Sequence, residues 1–319
     1  MAIGEASGLK LGKATRDAFG AALKELGNEF PNLVTVDGDV GNSTRTEVFA
    51  KAFPTRGFNV GIAESNMVGV AGGLAASGKI PVVSSFACFL MCNAYDQIRM
   101  CVAYPGMNVK MVGSHAGISI GEDGASQMGI EDVALACALP GVTVIVPADA
   151  ASARKATRAM IEHVGPVYLR CGRIEVPEVY SADSPFVIGR ANTVRDGKDL
   201  TIIANGLMVG IALDAAAVLA KSGVNARVVD MHTVKPLDEE AIVKAATETG
   251  RIVVAEEHLM AGGLGSAVAA VVARKKPVPM EFVNIGDRFA ESGDPHGLLQ
   301  KYGLTSEAIV AAAKAVRSR

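Results

Sequence analysis

The stretch GIAESNM at positions 61–67 sets a single acid, Glu64, among small and apolar neighbours. A carboxylate is costly to bury there without a partner, which raises the question of what it does at neutral pH. Two more acids lie in glycine-bounded loops, Asp39 in VDGDVGNST (36–44) and Asp123 in SIGEDG (119–124). Glycines let the backbone turn sharply or approach a ligand; acids in such loops equally well cap turns. Phe86 and Phe89, in SSFACF (84–89), suit either a wall for a flat heteroaromatic ring or ordinary core packing. His115 closes VKMVGSH and is either a structural histidine or one facing a strand-end cleft. Arg16 and Arg173 are either solvated charges or bidentate partners for a phosphate.

The elements that must position these residues are legible from periodicity. NLVTVDG, IPVVSSF, NVKMVGSH, VTVIVPA and VYLR are short, Val- and Ile-rich runs, nearly all apolar, as strands covered on both faces are. Helical patterns alternate with them: ATRDAFGAALKELG, SNMVGVAGGLAAS, NAYDQIRMCVA and DAASARKATRAMIEH, the last with Asp149 as its N-cap. The segment EVPEVYSADSPF (175–186) breaks the rhythm with two prolines and no periodicity, which predicts a linker. The alternation then restarts with strands DLTIIANG, NARVVDM, RIVVAEE and PMEFVNIG and with helices from about 209, 238, 262 and 305. The expected fold class is α/β: two three-layer α/β/α domains with mainly parallel sheets, at 1–175 and 189–319, joined by a linker at 176–188. Acids and glycines at the carboxyl ends of such strands stand where α/β folds place their sites.

Composition bounds the function classes. A chain of 319 residues suits two domains, and 50% hydrophobic residues allow a large core. A formal charge of −2 gives no global reason to expect nucleic-acid or membrane partners. No uncharged apolar run reaches the roughly 20 residues of a membrane helix, and the start, MAIGEASGLKLGK, lacks a signal-peptide core. The five cysteines, Cys88, Cys92, Cys101, Cys137 and Cys171, form no framework, which suggests reduced thiols and a cytoplasmic setting. Cys88 and Cys92 have no histidine near them in sequence and read as small buried residues rather than metal ligands; no metal site is expected on this chain.

In order, KATRDAFG, DGDVGNST, FP.R..N.GIAESNM, SSFACF, AYDQIRM, GSHAGISIGEDGASQMGIEDVAL, VIVPAD and LRCGR resemble the pyrimidine-binding domain of transketolase. VKPLD and VAEEHLMAGGLGSAVA resemble its C-terminal domain, so the likeness covers essentially the whole chain. The resemblance implies a thiamine-diphosphate enzyme that moves a two-carbon ketol unit from a ketose phosphate to an aldose phosphate. It implies that Glu64 contacts N1′ of the cofactor's aminopyrimidine and favours the imino tautomer needed for proton removal from the thiazolium. Phe86 and Phe89 match the aromatic pocket of that ring, with Asp39 and Gln127 in the same cofactor-binding set. Arg16, Ser43, His115 and Arg173 match positions that hold the sugar phosphate, His115 with a catalytic part as well. Asp123 matches the acid that binds a donor-sugar hydroxyl. Two departures stand out: Gln127 occupies a place where many members have histidine, and Cys92 and Tyr95 stand where a third aromatic wall often follows.

The family's diphosphate-binding domain is marked by Gly-Asp-Gly and a later Asn, which hold a divalent metal through oxygen ligands. No Gly-Asp-Gly occurs in this chain. The resemblance therefore implies the C-terminal half of a split, two-chain transketolase. Mg2+ or Ca2+ would then sit on an N-terminal partner subunit that carries the motif, in an α2β2 heterotetramer. The initiator methionine and the closing helix AAAKAVRSR favour a complete subunit over a fragment. Three other readings compete: the β subunit of a 2-oxo-acid dehydrogenase E1, a deoxyxylulose-phosphate-synthase-like enzyme, and an inert partner or sugar-phosphate-binding subunit. GSHAGISIGEDGASQ supports a phosphorylated-polyol site over the first two, and a retained Glu64 opposes the third.

Overall fold

Neighbouring strand residues divide between two cores, which is what period-two side-chain alternation demands of a doubly covered sheet. Val83, Met111, Val144 and Tyr168 pack into one apolar cluster, while Val82, Val112, Ile145 and Leu169 pack into another on the opposite face. The computed structural model describes residues 3–319. In chain order, β1 (Leu11–Ala14) leads into α1 (Thr15–Glu29), β2 (Leu33–Asp37), α2 (Gly41–Thr44), α3 (Glu47–Ala52) and β3 (Gly57–Asn59). Next come α4 (Glu64–Ala76), β4 (Ile80–Phe86), α5 (Tyr95–Gln97), β5 (Lys110–Ser114), α6 (Asp132–Ala138), β6 (Thr143–Ile145), α7 (Ala150–Glu162) and β7 (Val167–Arg170). The NAYDQIRMCVA helix is not uniform: π-helical turns at Phe89–Asn93 and Ile98–Ala103 flank α5. Asp149 caps α7 as expected, accepting the Ser152 N–H at 2.8 Å.

The second half runs β8 (Glu175–Pro177), β9 (Asn192–Arg195), β10 (Leu200–Ala204), α8 (Met208–Lys221), β11 (Ala226–Asp230) and β12 (Thr233–Lys235). It continues with α9 (Glu239–Thr249), β13 (Ile252–Ala255), α10 (Leu264–Lys275), β14 (Met280–Val283), α11 (Pro295–Lys301) and α12 (Ser306–Arg317). The first sheet has the order β12-β6-β7-β5-β4-β2-β3, parallel except for β12. The second has the order β14-β13-β10-β11-β9, parallel except for β9. Both are mainly parallel α/β sheets.

Two features depart from the sequence reading. The 175–186 linker stretch carries a short strand and is tied down: β8 pairs with β1, and Asp149 Oδ2 accepts the N–H groups of both Val179 and Tyr180 at 2.8 Å. And β12, deep in the second half, crosses back to complete the first sheet's edge beside β6. One continuous core joins Ile118, Ile120, Met128 and Ile130 to Ile202, Val228 and Val253 of the second sheet. The loop carrying Asp123 and Gln127 is thus moored on the second sheet.

Candidate active site

Strand register brings the first group together. Phe86 at the end of β4 pairs with Ser114 at the end of β5, so His115 falls beside Phe86. The two rings stack at 4.0 Å, and Phe89, at the start of the first π-helical turn, stacks on Phe86 at 5.6 Å with 7° between planes. Both phenylalanines are half-buried. A π turn inside a helix is a device often found at functional sites; here it sets the position of Phe89.

His115 is buried, 3% exposed, and held at φ 56°. Arg16 Nη1, from the first turn of α1, lies 2.9 Å from His115 Nε2 and also donates to the Ser43 carbonyl at 3.1 Å. A guanidinium only donates, so Nε2 accepts and the ring proton sits on Nδ1, 2.9 Å from Ser114 Oγ. The imidazole is therefore neutral. Burial first, then the charges of Arg16, Arg173 and Arg45, lower its pKa to about 3.

Glu64 opens α4, where N–H groups lacking intrahelical partners make a carboxylate well placed. It is 7% exposed, and its one hydrogen-bond partner among the described residues is Ser85 Oγ, 3.3 Å from Oε1. Ser85 immediately precedes Phe86 on β4, so acid and aromatic pair stand at the same strand end.

The other predicted residues divide. Arg173 donates to the Ile120 carbonyl and, at 3.0 Å, to Glu122, beside exposed Asp123. Gln127 ends a short 3₁₀ turn, and its carbonyl accepts from Cys88 Sγ at 3.1 Å. Asp39 stands apart: it bonds Asn59 Nδ2 at 2.9 Å and lines a cleft of about 430 Å3 to which Arg16, Ser43 and His115 do not contribute. Cys92, within the first π-helical turn, is exposed on a surface it shares with Glu131, 3.5 Å away, and is not the small buried residue expected. Tyr95 points its hydroxyl to the Leu135 carbonyl at 3.0 Å, away from any role as a third wall.

Supporting residues were not visible in the sequence. Arg170, 7% exposed, donates to both oxygens of Asp132 at 2.8 and 3.1 Å and to the carbonyls of Gly129 and Glu257. Burial pushes the Asp132 carboxyl up, but Arg170 outweighs it and holds the pKa below the ordinary value. Glu257 in turn accepts the Ser119 N–H at 2.7 Å, beneath Gly117 at φ 83°, where any Cβ would collide with its carboxylate. Ser292 Oγ holds the Glu122 carbonyl at 3.0 Å. The Asp123 loop is thus positioned by residues far away in sequence.

Nearly buried Glu64 with one open carboxylate oxygen, next to two half-exposed stacked rings, fits a flat heteroaromatic group bearing a ring nitrogen. An α/β chain with two mainly parallel sheets and such a strand-end cluster belongs to the class of α/β folds that hold a cofactor at the carboxyl edge of a parallel sheet. Residues 12–178 match the family "Transketolase, pyrimidine binding domain" and residues 189–309 match "Transketolase, C-terminal domain". The chain belongs to the transketolase family. It is 42% identical over 304 residues to a 6-deoxy-6-sulfo-D-fructose transketolase subunit from Clostridium sp. (strain MSTE9), covering 95% of this chain and 94% of that one. It is 39% identical over 308 residues to Homo sapiens transketolase, covering 95% of this chain and 48% of that one. A solved structure described as "Split gene transketolase, inactive beta4 tetramer" superposes with TM-score 0.88 at 48% identity, over 96% of this chain and 99% of that one.

Proposed function

We propose that this chain is the C-terminal subunit of a thiamine-diphosphate-dependent transketolase, active with a separate subunit that holds the diphosphate and its Mg2+ or Ca2+. The reaction is transfer of a two-carbon ketol unit from a ketose phosphate to an aldose phosphate, in an α2β2 assembly. Relatives of matching length named as transketolase subunits support the two-chain reading. The observation that carries the function is Glu64: nearly buried, bonded only through Ser85, beside the Phe86–Phe89 pair.

When bound, thiamine diphosphate supplies the nucleophilic carbon and the electron sink that ketol transfer needs. Glu64 holds or shares a proton with the aminopyrimidine through its open oxygen, and Ser85 orients the carboxylate. Phe86 and Phe89 wall the flat ring and exclude water from it. Arg16, Arg173 and Ser43 bind the sugar's phosphate, and neutral His115 aims Arg16 by accepting its Nη1 proton. Asp123 takes a donor-sugar hydroxyl, while Gln127 contributes to cofactor binding from the loop beside it.

The direct experiment combines the purified chain with an N-terminal transketolase subunit. It then measures mass and ketol transfer from xylulose 5-phosphate, with pyruvate decarboxylation as the competing activity. Transfer only by the mixture, from the sugar phosphate, is expected. Full transfer by the isolated chain, or activity with pyruvate alone, overturns the proposal.

A further inference from the structure

Among the described residues, three that are not glycine adopt a left-handed backbone: Asp39 (φ 67°), Arg45 (φ 70°) and His115 (φ 56°). Such conformations are unfavourable for residues with a Cβ and cluster where function over-determines the backbone. Asp39 and His115 are already among the candidate site residues. Arg45 has no role assigned, yet it sits two residues beyond Ser43, in the loop that Arg16 grips.

The loop is pressed against α1. Arg45 Cβ occupies the space that a Cβ on Gly20 would need, so only glycine fits at position 20. Arg45 Nε donates to Asp17 at 2.6 Å, and Nη1 donates to the Asn42 carbonyl at 2.7 Å. Its side chain stays about one-third exposed, and Nη2 meets no protein acceptor among the described residues. The guanidinium is thus fixed on two sides and open on the third. Its charge is felt at both Arg16 and His115, where it depresses the pKa after burial does. Arg16 Nε is itself buried without a hydrogen-bond partner. Arg16 touches the neutral imidazole, and the charges of Arg173 and Arg45, each paired with one carboxylate, also bear on it, a concentration of positive charge that suits an anion.

We propose that Arg45 is a substrate-anion contact that matches this subunit to the dianionic phosphate of its sugars over singly charged groups such as a sulfonate. The proposal rests on the transketolase reading above. A third fixed fork adds charge-assisted hydrogen bonds to a tetrahedral oxyanion and adds more to a dianion than to a monoanion.

The test compares wild type with R45M and R45K, each assembled with the N-terminal subunit, in the donor half-reaction. Three donors are used: a ketose phosphate, its sulfonate analogue and a phosphate-free ketol donor. In R45M the KM for the ketose phosphate rises roughly tenfold, that for the sulfonate rises about threefold, and the phosphate-free donor is affected least. The change falls on KM far more than on kcat, and R45K recovers part of it. A KM for the ketose phosphate within about twofold of wild type overturns the proposal. So do equal losses for all three donors, which mark a displaced loop rather than a lost anion contact. Should no variant, wild type included, transfer a ketol unit, the transketolase reading fails by itself. Calorimetric titration of ribose 5-phosphate into wild-type and R45M chain then still decides: roughly tenfold weaker binding by R45M upholds the anion contact, and equal or undetectable binding by both overturns it.

Discussion

Each of the two sheets presents carboxylates at or beside its strand ends, and they are used in opposite ways. Beyond β13 of the second sheet, Glu256 accepts the N–H groups of Leu264 and Gly265 at 2.7 and 2.8 Å, and Glu257 accepts that of Ser119 at 2.7 Å. Both are nearly fully buried, and burial raises both pKa values against these bonds. Glu256 spends both oxygens on a helix start, and Glu257 holds the loop beneath the site through one short bond. In the first sheet Glu64 is nearly as buried but has one long bond to Ser85 and an open oxygen. Burial alone does not mark the functional acid. What separates Glu64 from Glu256 is how far protein groups saturate the carboxylate: Glu256 is bonded through both oxygens, whereas Glu64 keeps one oxygen open at a strand end.

The largest expected effect is on the open side. Glu64→Gln keeps the size and the Ser85 contact but loses the proton-sharing group, so ketol transfer by the assembled enzyme should fall by roughly a thousandfold while the melting temperature stays near wild type. Normal turnover would remove Glu64 from the chemistry. A large loss of stability would erase its contrast with the second sheet. Asp132, at the start of α6 beside the first sheet, is another acid bonded through both oxygens, and Asp132→Ala strands Arg170 and the Tyr168 hydroxyl in the core. Urea unfolding of the chain should show a loss of about 3–5 kcal/mol, and a loss below about 1 kcal/mol would mean that the network is not a brace.

The third expectation concerns pH. His115 titrates near 6.5 when unfolded and at about 3 when folded, so between those values the unfolded chain binds more protons and stability rises with pH. Relative to a His115→Gln chain, wild type should lose about 2 kcal/mol on acidification to pH 5. Parallel stability curves for the two chains between pH 7 and 4 would contradict a neutral, buried imidazole. The smallest effect belongs to Asp149, which caps α7 and holds the 179–180 strap. Its replacement by Ala should cost about 1–2 kcal/mol in thermal unfolding and leave KM unchanged. A shifted KM would show that the strap communicates with the site.

Much of the scaffold was legible. Val-Val pairs such as Val82–Val83 read correctly as two-faced strands because period two is a local property of the extended chain. Asp149 read correctly as a cap because capping needs only the three residues that follow it. β8 and β12 were not legible. Glu175–Pro177 and Thr233–Lys235 carry little strand signal of their own and are extended because β1 and β6 offer partners. The site divides in the same way. Phe86, Phe89, His115 and Glu64 could be picked out as residue types at strand ends, whereas Arg45 could not, since nothing in GNSTR announces a left-handed arginine opposite Gly20.

The chain's own order of residues therefore determined the α/β alternation, the strand-end placement of Glu64, Phe86 and His115, and the family to which these belong. Those depend on local periodicity and on motifs contiguous in sequence. The tertiary structure alone decided that His115 is neutral, that Asp39 lies in a separate cleft, that Cys92 faces outward, and that residues 257 and 292 hold the Asp123 loop. Each of those depends on burial and on contacts between positions distant in the chain, which no run of neighbouring residues encodes.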